Sequence, residues 1–290
     1  MKARTLIFLL QLAGLVIALP MTLQAQSVSL DFSNPVGTPT GSNGLGGMSY
    51  FRTNTLDFLN VATSGLVSLD LRVTASAWGG FTFGSAANSG YYADYSSNSG
   101  EPDGDLGVYH TGTTTGLGGV HYDFEFYLGG SDFATPYTMG QLDLLIYDLD
   151  GEASQSELLR AYTADGLVSY RTGNATASVT PSIFTGGVLF TGPGFNTAET
   201  DASGAFILTY QNTSRFRLDF ESLTSGSVPN AVFAGIDGDL SMLNGDLSGF
   251  GPVVNAPEPS SALLLAMAGM LLQMRRRSGG MRSQTSSPVR

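Results

Sequence analysis

Three acidic turns are the first places where this chain could do chemistry. The run Leu142-Asp143-Leu144-Leu145-Ile146-Tyr147-Asp148-Leu149-Asp150-Gly151 is apolar on both faces apart from Asp143, which predicts a central strand, and Gln155 and Glu157 follow it. Asp148 and Asp150 are two residues apart, so both carboxylates leave the same face where the strand meets its turn. Side by side they repel unless one is protonated or a cation bridges them. Calcium accepts several oxygen ligands, backbone carbonyls among them, so an Asp-x-Asp-Gly turn suits it. A second turn of this kind is Ile236-Asp237-Gly238-Asp239, with Asn244 and Asp246 close behind, and a third is Glu101-Pro102-Asp103-Gly104-Asp105. Calcium is thus the expected cofactor, with Asp148, Asp150, Asp237 and Asp239 as its ligands. The competing reading is that Asp and Gly simply make good turns and solubilise the surface.

His121, Asp123 and Glu125 offer a different chemistry. On a strand they share one face, with neighbours about 6.5–7 Å apart, near the carboxylate separations that glycosidases use. If that face is concave, an acid and a nucleophile are within reach of one glycosidic bond. The bland alternative is a solvated face, like the row Arg215, Arg217, Asp219 and Glu221, because charged residues are mostly exposed anyway. His110 and His121 lack the clustered partners that a metal site needs. No nucleophile-elbow or nucleotide-binding glycine motif stands in a strand–turn–helix context. Trp78, Phe81, Phe83, Tyr91, Tyr92 and Tyr95 cluster around Gly- and Asn-rich segments. Exposed rings of this kind stack on sugars at small entropic cost; packed rings would only fill a core.

The elements that must position these residues read as strands. Val67, Leu69, Leu71 and Val73 alternate with Ser68, Asp70, Arg72 and Thr74. Tyr122, Phe124, Phe126 and Leu128 alternate with His121, Asp123, Glu125 and Tyr127, and Phe216, Leu218 and Phe220 alternate with their charged neighbours. Period-two alternation marks half-buried antiparallel strands. Turn clusters separate them, among them Gly129-Gly130-Ser131-Asp132 and Thr191-Gly192-Pro193-Gly194. Between the chain ends only Glu152–Thr163 hints at a helix, and weakly. The expected fold is all-β, an antiparallel β-sandwich of jelly-roll type, over residues 27–247. Residues 84–107 are expected as a long surface loop, and residues 248–255 as a linker.

Composition narrows the function. The 290 residues include 24 acidic and 13 basic side chains, a formal charge of −11, with 38 glycines and no cysteine. The missing cysteine excludes disulfides, thiolate catalysis and Cys-bound metals. The acidic balance argues against a nucleic-acid partner. The charge is also unevenly spread: seven basic residues and one acidic residue lie in the two ends, so residues 27–255 carry 6 basic against 23 acidic side chains, a formal −17, with no lysine. Schiff-base chemistry and a P-loop lysine are therefore excluded as well.

Both ends carry addresses. Lys2 and Arg4 precede an apolar run from Leu6 to Leu19 and a small-residue exit near Ala25, the pattern of a secretory signal peptide over residues 1–26. At the other end Pro257-Glu258-Pro259 leads into an apolar stretch from Ala262 to Leu272, closed by Arg275, Arg276 and Arg277. The stretch is short for a spanning helix, and the arginines would stay on the cytoplasmic side. This order resembles the PEP-CTERM sorting signal of Gram-negative bacteria, over residues 256–277, with a polar tail at 278–290 beyond it. The resemblance implies recognition and cleavage by a membrane protease-transpeptidase, the exosortase, in cells that make extracellular polysaccharide. It implies a transient anchor in the inner membrane and says nothing of the body's activity. The expected protein is an exported component of the cell surface or matrix. It would be structural or polysaccharide-binding, with a carbohydrate-active enzyme built on Asp123 and Glu125 as the alternative.

Overall fold

The computed structural model describes residues 27–41, 49–85, 89–95, 104–112, 115–225, 230–240, 243 and 246–258. Residues 1–26, expected as a signal peptide, Glu101–Asp103, Asn244, Pro259, the apolar stretch with Arg275, Arg276 and Arg277, and the tail lie outside these. In chain order the strands are β1 (Ser27–Val28), β2 (Thr55–Ser64), β3 (Val67–Trp78), β4 (Phe81–Thr82), β5 (Gly90–Tyr95) and β6 (Asp105–Gly112). They continue with β7 (Gly116–Leu128), β8 (Met139–Tyr147), β9 (Gly151–Glu152), β10 (Gln155–Tyr162), β11 (Leu167–Thr172) and β12 (Thr180–Phe184). The last are β13 (Gly187–Thr191), β14 (Phe206–Thr213), β15 (Arg215–Thr224), β16 (Asn230–Asp237) and β17 (Val254–Asn255). Among the described residues no helix is long and apolar enough to cross a membrane.

The strands form two facing sheets. Sheet A runs β17-β11-β14-β8-β16-β6-β4, with β1 paired to β8 and β5 to β6; sheet B runs β12-β13-β10-β15-β7-β3-β2, with β9 paired to β10. All pairings are antiparallel except β1 with β8. Most connections pass from one sheet to the other, as in the single-residue step at Ser214 between β14 and β15. The alternation read in β3, β7 and β15 is real. Leu71 and Val73 sit opposite Phe126 and Phe124, and Phe216 and Leu218 opposite Phe124 and Tyr122, all facing the core.

The expected central strand is β8, flanked by β14 and β16. It is apolar on both faces because it serves two cores. Leu142, Leu144 and Ile146 point between the sheets, while Leu145 and Tyr147 join Tyr50, Tyr92, Tyr95, Ile207 and Phe250 in a second cluster. Gly235 on β16 lies directly against the Tyr147 ring, where any Cβ would collide. This second cluster covers one end of the far side of sheet A, beyond which Gln141, Asp143, Thr209 and Gln211 are half-exposed, while the outer face of sheet B carries the rows of charge.

Three sequence expectations give way here. Residues 84–107 contain β5 and the start of β6, whose tyrosines are buried; glycine and serine at 89–90 hide a strand that alternation cannot show. The weak helical pattern of Glu152–Thr163 is strand β10, which alternates buried and half-buried positions between β13 and β15. The stretch 248–255 is not a free linker. Phe250 bridges Gly173, Val254 and Asn255 pair with Tyr170 and Ser169, and the Ala256 N–H donates to the Val168 carbonyl at 2.9 Å. Phe250→Ala should therefore lower stability by about 3 kcal/mol in urea unfolding, as loss of a buried ring does. An unchanged midpoint would mean that the segment is a linker after all.

Candidate functional site

On the outer face of sheet B, β7 presents His121, Asp123 and Glu125, half-exposed, while Tyr122, Phe124 and Phe126 turn inward. The row expected from alternation thus exists. Its partners come from β15, whose own row of charges the register brings alongside: Asp219 opposite His121, Arg217 opposite Asp123, Arg215 opposite Glu125. Arg217 grips Asp123 with Nε and Nη2, each 2.8 Å from a carboxylate oxygen. The Tyr127 hydroxyl donates to Glu125 Oε2 at 2.8 Å. His121 Nδ1 lies 2.7 Å from Asp219 Oδ1, and the Tyr162 hydroxyl donates to the other oxygen of Asp219. Arg160 reaches Glu221 at 2.8 Å, and Arg72 forks onto Asp57 at 2.7 and 2.8 Å. The more exposed pairs, Arg217 with Asp123 and Arg72 with Asp57, contribute at most about 1 kcal/mol each, but their two-point forks set orientation. Trp78 lies parallel to the His121 ring, centroids 5.8 Å apart.

The row lines a groove. A depression of about 560 Å³ is bounded by Thr74, Asp123, Glu125, Tyr162, Asp165, Arg215 and Arg217, within the usual range for ligand pockets. Asp165 arrives from a short 3-10 turn, Thr163–Asp165, ended by Gly166 at a φ of 92° that favours glycine. Its carboxylate accepts the Arg217 backbone N–H at 3.0 Å. Burial pushes the Asp165 carboxyl above the usual carboxylate range, offset in part by that N–H and by the Arg215 and Arg217 guanidiniums. A second depression of about 240 Å³ adjoins the first and shares Glu125 and Arg215 with it. Sequence reasoning singled out His121, Asp123 and Glu125 but missed Tyr162 and Asp165. It named Arg215, Arg217, Asp219 and Glu221 only as an ordinary wet face. The signal was present in the two alternating rows; what joins them is a pairing across some ninety residues.

The acidic turns behave differently. β8 ends at Tyr147, and Asp148 takes a left-handed φ of 62°, so the alternation that placed Asp148 and Asp150 on one face stops there. Asp150 accepts the Thr197 N–H at 2.8 Å and the Gly151 N–H, while its own N–H donates to Glu157 Oε2 at 3.2 Å. Gln155 Nε2 donates to Glu157 Oε1 at 3.1 Å. Burial, then the charges of Asp150 and Glu199, push Asp148 up to about 8. Burial, then Asp150, do the same to Glu157. Asp237 is buried, and its Oδ1 accepts the N–H groups of Asp239 and Leu240 at 2.9 and 2.6 Å. Its carboxylate thereby shapes the turn. Among the described residues no three His, Cys, Asp or Glu side chains converge to hold a metal ion.

The aromatic cluster is mostly core. Phe81, Phe83, Tyr91, Tyr92 and Tyr95 are buried, and only Trp78 reaches the surface in part. Tyr91 packs edge-on against Phe83 and Tyr122, which is why these rings are unavailable to a sugar. His110 is buried inside the sandwich, its Nδ1 3.3 Å from the Tyr122 hydroxyl, and burial lowers it to about 3. The two histidines thus lie in different sheets, one inside and one outside.

No family model matches the chain, and no curated protein does. Among solved structures the chain is similar to the N-terminal domain of the Streptococcus gordonii adhesin Sgo0707, with 9% identity and a TM-score of 0.44. That likeness covers 74% of this chain and 62% of that one, and it is too distant to carry an argument. The fold and site themselves define a two-sheet β-sandwich whose sheet B carries an open, charge-laddered outer face.

The acidic corner yields a pH prediction. Asp148 and Glu157 keep protons in the folded chain up to about pH 8, whereas unfolded carboxyls release theirs near pH 4. The folded state then binds more protons between those values, so this contribution to stability is fully present below about pH 4 and is lost as pH rises through 8. Asp148→Asn suits the left-handed backbone and removes one such group. It should match wild type near pH 4 and gain on it steadily up to pH 8.5 in urea titrations. Taking the difference cancels the opposite slope from His110, whose lowered value favours the folded state only above its ordinary range. Parallel pH curves for the two proteins would show that Asp148 is not held protonated.

Proposed function

We propose that this chain is an exported, non-catalytic binding module of the cell surface or extracellular matrix, holding polysaccharide in the groove on the outer face of sheet B. The observation that carries the reading is the state of the groove's carboxylates. Both oxygens of Asp123 are gripped by Arg217, one oxygen of Glu125 is tied to Tyr127, and Asp165 is turned to the Arg217 backbone N–H. A hydrolase needs an acid and a base with oxygens turned to the substrate. Here the charged groups form a preset lattice of donors and acceptors, which suits recognition of hydroxyl groups.

A glycan array and a reducing-end assay on the same protein separate the two readings. Binding without turnover is expected, and Glu125→Gln should weaken binding several-fold. Turnover that Glu125→Gln abolishes would make the protein a glycosidase.

Export and sorting belong to the same proposal. The support is the sequence: the basic–apolar–small pattern of residues 1–26, and Pro257-Glu258-Pro259 before an apolar stretch and three arginines. In this reading an exosortase-type protease handles the tail, with the inner membrane as a transient anchor. Mass spectrometry of the mature protein should find an N-terminus near residue 27 and a C-terminus upstream of Arg275. Recovery of Arg290 in the exported protein would remove the sorting reading. Calcium stabilisation is proposed only at the corner of Asp148, Asp150 and Glu157, where a cation, like a proton, would offset the cost of burying carboxylate charge beside Asp150. At pH 8 a melting temperature higher in calcium than in chelator, and levelled by Asp148→Asn, supports it; equal temperatures withdraw it.

A further inference from the structure

The two depressions on sheet B meet at one place, the cross-strand pair Glu125 and Arg215, which borders both. Arg215 differs from its neighbours. Arg72, Arg160 and Arg217 each hold a carboxylate within 3 Å, whereas exposed Arg215 has no ion-pair partner among the described residues. Its backbone is pinned by Thr213, whose Oγ1 accepts the Arg215 N–H at 3.2 Å. Glu125, opposite, gives one oxygen to Tyr127 and keeps the other without a hydrogen bond among the described residues. The ridge therefore offers a planar donor fork beside an open acceptor, with space on either side.

Charge decides what can lie there. In the groove the carboxylates of Asp123, Glu125 and Asp165 stand among the guanidiniums of Arg215 and Arg217, so it carries no net positive charge. The rest of residues 27–255 is strongly acidic, a formal −17 overall. A polyanion meets that repulsion and finds no net positive patch. A polycation is drawn to the whole acidic surface, with no preference for the groove. An uncharged ligand is indifferent to both. It must also be a chain, since a compact molecule fills one depression and leaves the ridge unused.

We propose that the groove binds an uncharged linear polysaccharide laid across the Glu125–Arg215 ridge, with sugar units in the depressions on either side. This rests on the polysaccharide-binding reading above and names its ligand class. The test is calorimetry on the exported chain with neutral linear gluco-, manno- and xylo-oligosaccharides of two to six units, and with oligouronates of equal length, at low and high salt.

At least one neutral series should bind, with affinity rising about tenfold as the chain grows long enough to span the ridge. Binding should change less than about twofold with salt, because no net charge is screened. Arg215→Ala should lower affinity about tenfold. Arg215→Lys, which keeps the charge but loses the fork, should also lose most of it. Tighter, salt-sensitive binding of uronates, or neutral binding untouched by both Arg215 variants, overturns this inference while leaving polysaccharide binding intact. Failure of every neutral and uronic series to bind overturns the parent reading instead.

Discussion

Everything on the surface of this sandwich depends on aromatic packing between its sheets. With no cysteine in the chain, no disulfide holds sheet A to sheet B. Rings do: Phe190 of β13 stacks on Phe206 of β14 with centroids 4.3 Å apart, and Tyr210 of β14 stacks on Phe216 of β15 at 4.7 Å. Tyr170 of β11 meets Phe190 edge-on at 5.3 Å, and Tyr91 of β5 meets Tyr122 of β7 at 6.1 Å. Such pairs add about 0.5–1.5 kcal/mol each beyond the area they bury. Because alternate residues on one strand point to opposite faces, fixing Tyr122, Phe124 and Phe216 inward also fixes His121, Asp123, Arg215 and Arg217 outward. The groove is the reverse side of the core.

Charge then sorts the surface. Of the six arginines in residues 27–255, four stand on the outer face of sheet B, where three are matched to carboxylates. Elsewhere the acids serve local structure. Asp237 closes its turn, Asp150 ties the segment around Thr197 to the end of β8, and Asp70 accepts the N–H groups of Asn60 and Gly130. The acidic character of the chain therefore has two uses, backbone capping at the turns and a balanced ladder on one face.

The sequence made the strands legible wherever one face was apolar and the other polar, as in β3, β7 and β15. It also exposed β8, whose continuous apolar run reflects a core on each side. It could not reveal β5, because Gly90, Tyr91, Tyr92, Ala93, Asp94 and Tyr95 have the composition of a loop and become a strand only by pairing with β6. Nor could it reveal the fate of residues 250–256, whose valines and glycines pair with β11 through backbone bonds that leave no trace in side-chain pattern. The site was half legible. One charged row was visible on β7 and another on β15, but the register that sets Arg217 on Asp123 arises from the way the chain crosses between sheets. The Asp148 corner misled for a local reason: the left-handed residue breaks the alternation on which the shared-face argument rests.

Having so few arginines gives the central claim a direct readout. Side-chain Nε–Hε resonances of Arg52, Arg72, Arg160, Arg171, Arg215 and Arg217 can each be assigned by single substitution. They can then be followed while the protein is titrated with a neutral oligosaccharide. If the outer face of sheet B is the binding surface, Arg215 and Arg217 shift in proportion to occupancy, while Arg52 and Arg171 stay in place. Shifts confined to Arg52 or Arg171 would put the binding surface elsewhere and contradict the account.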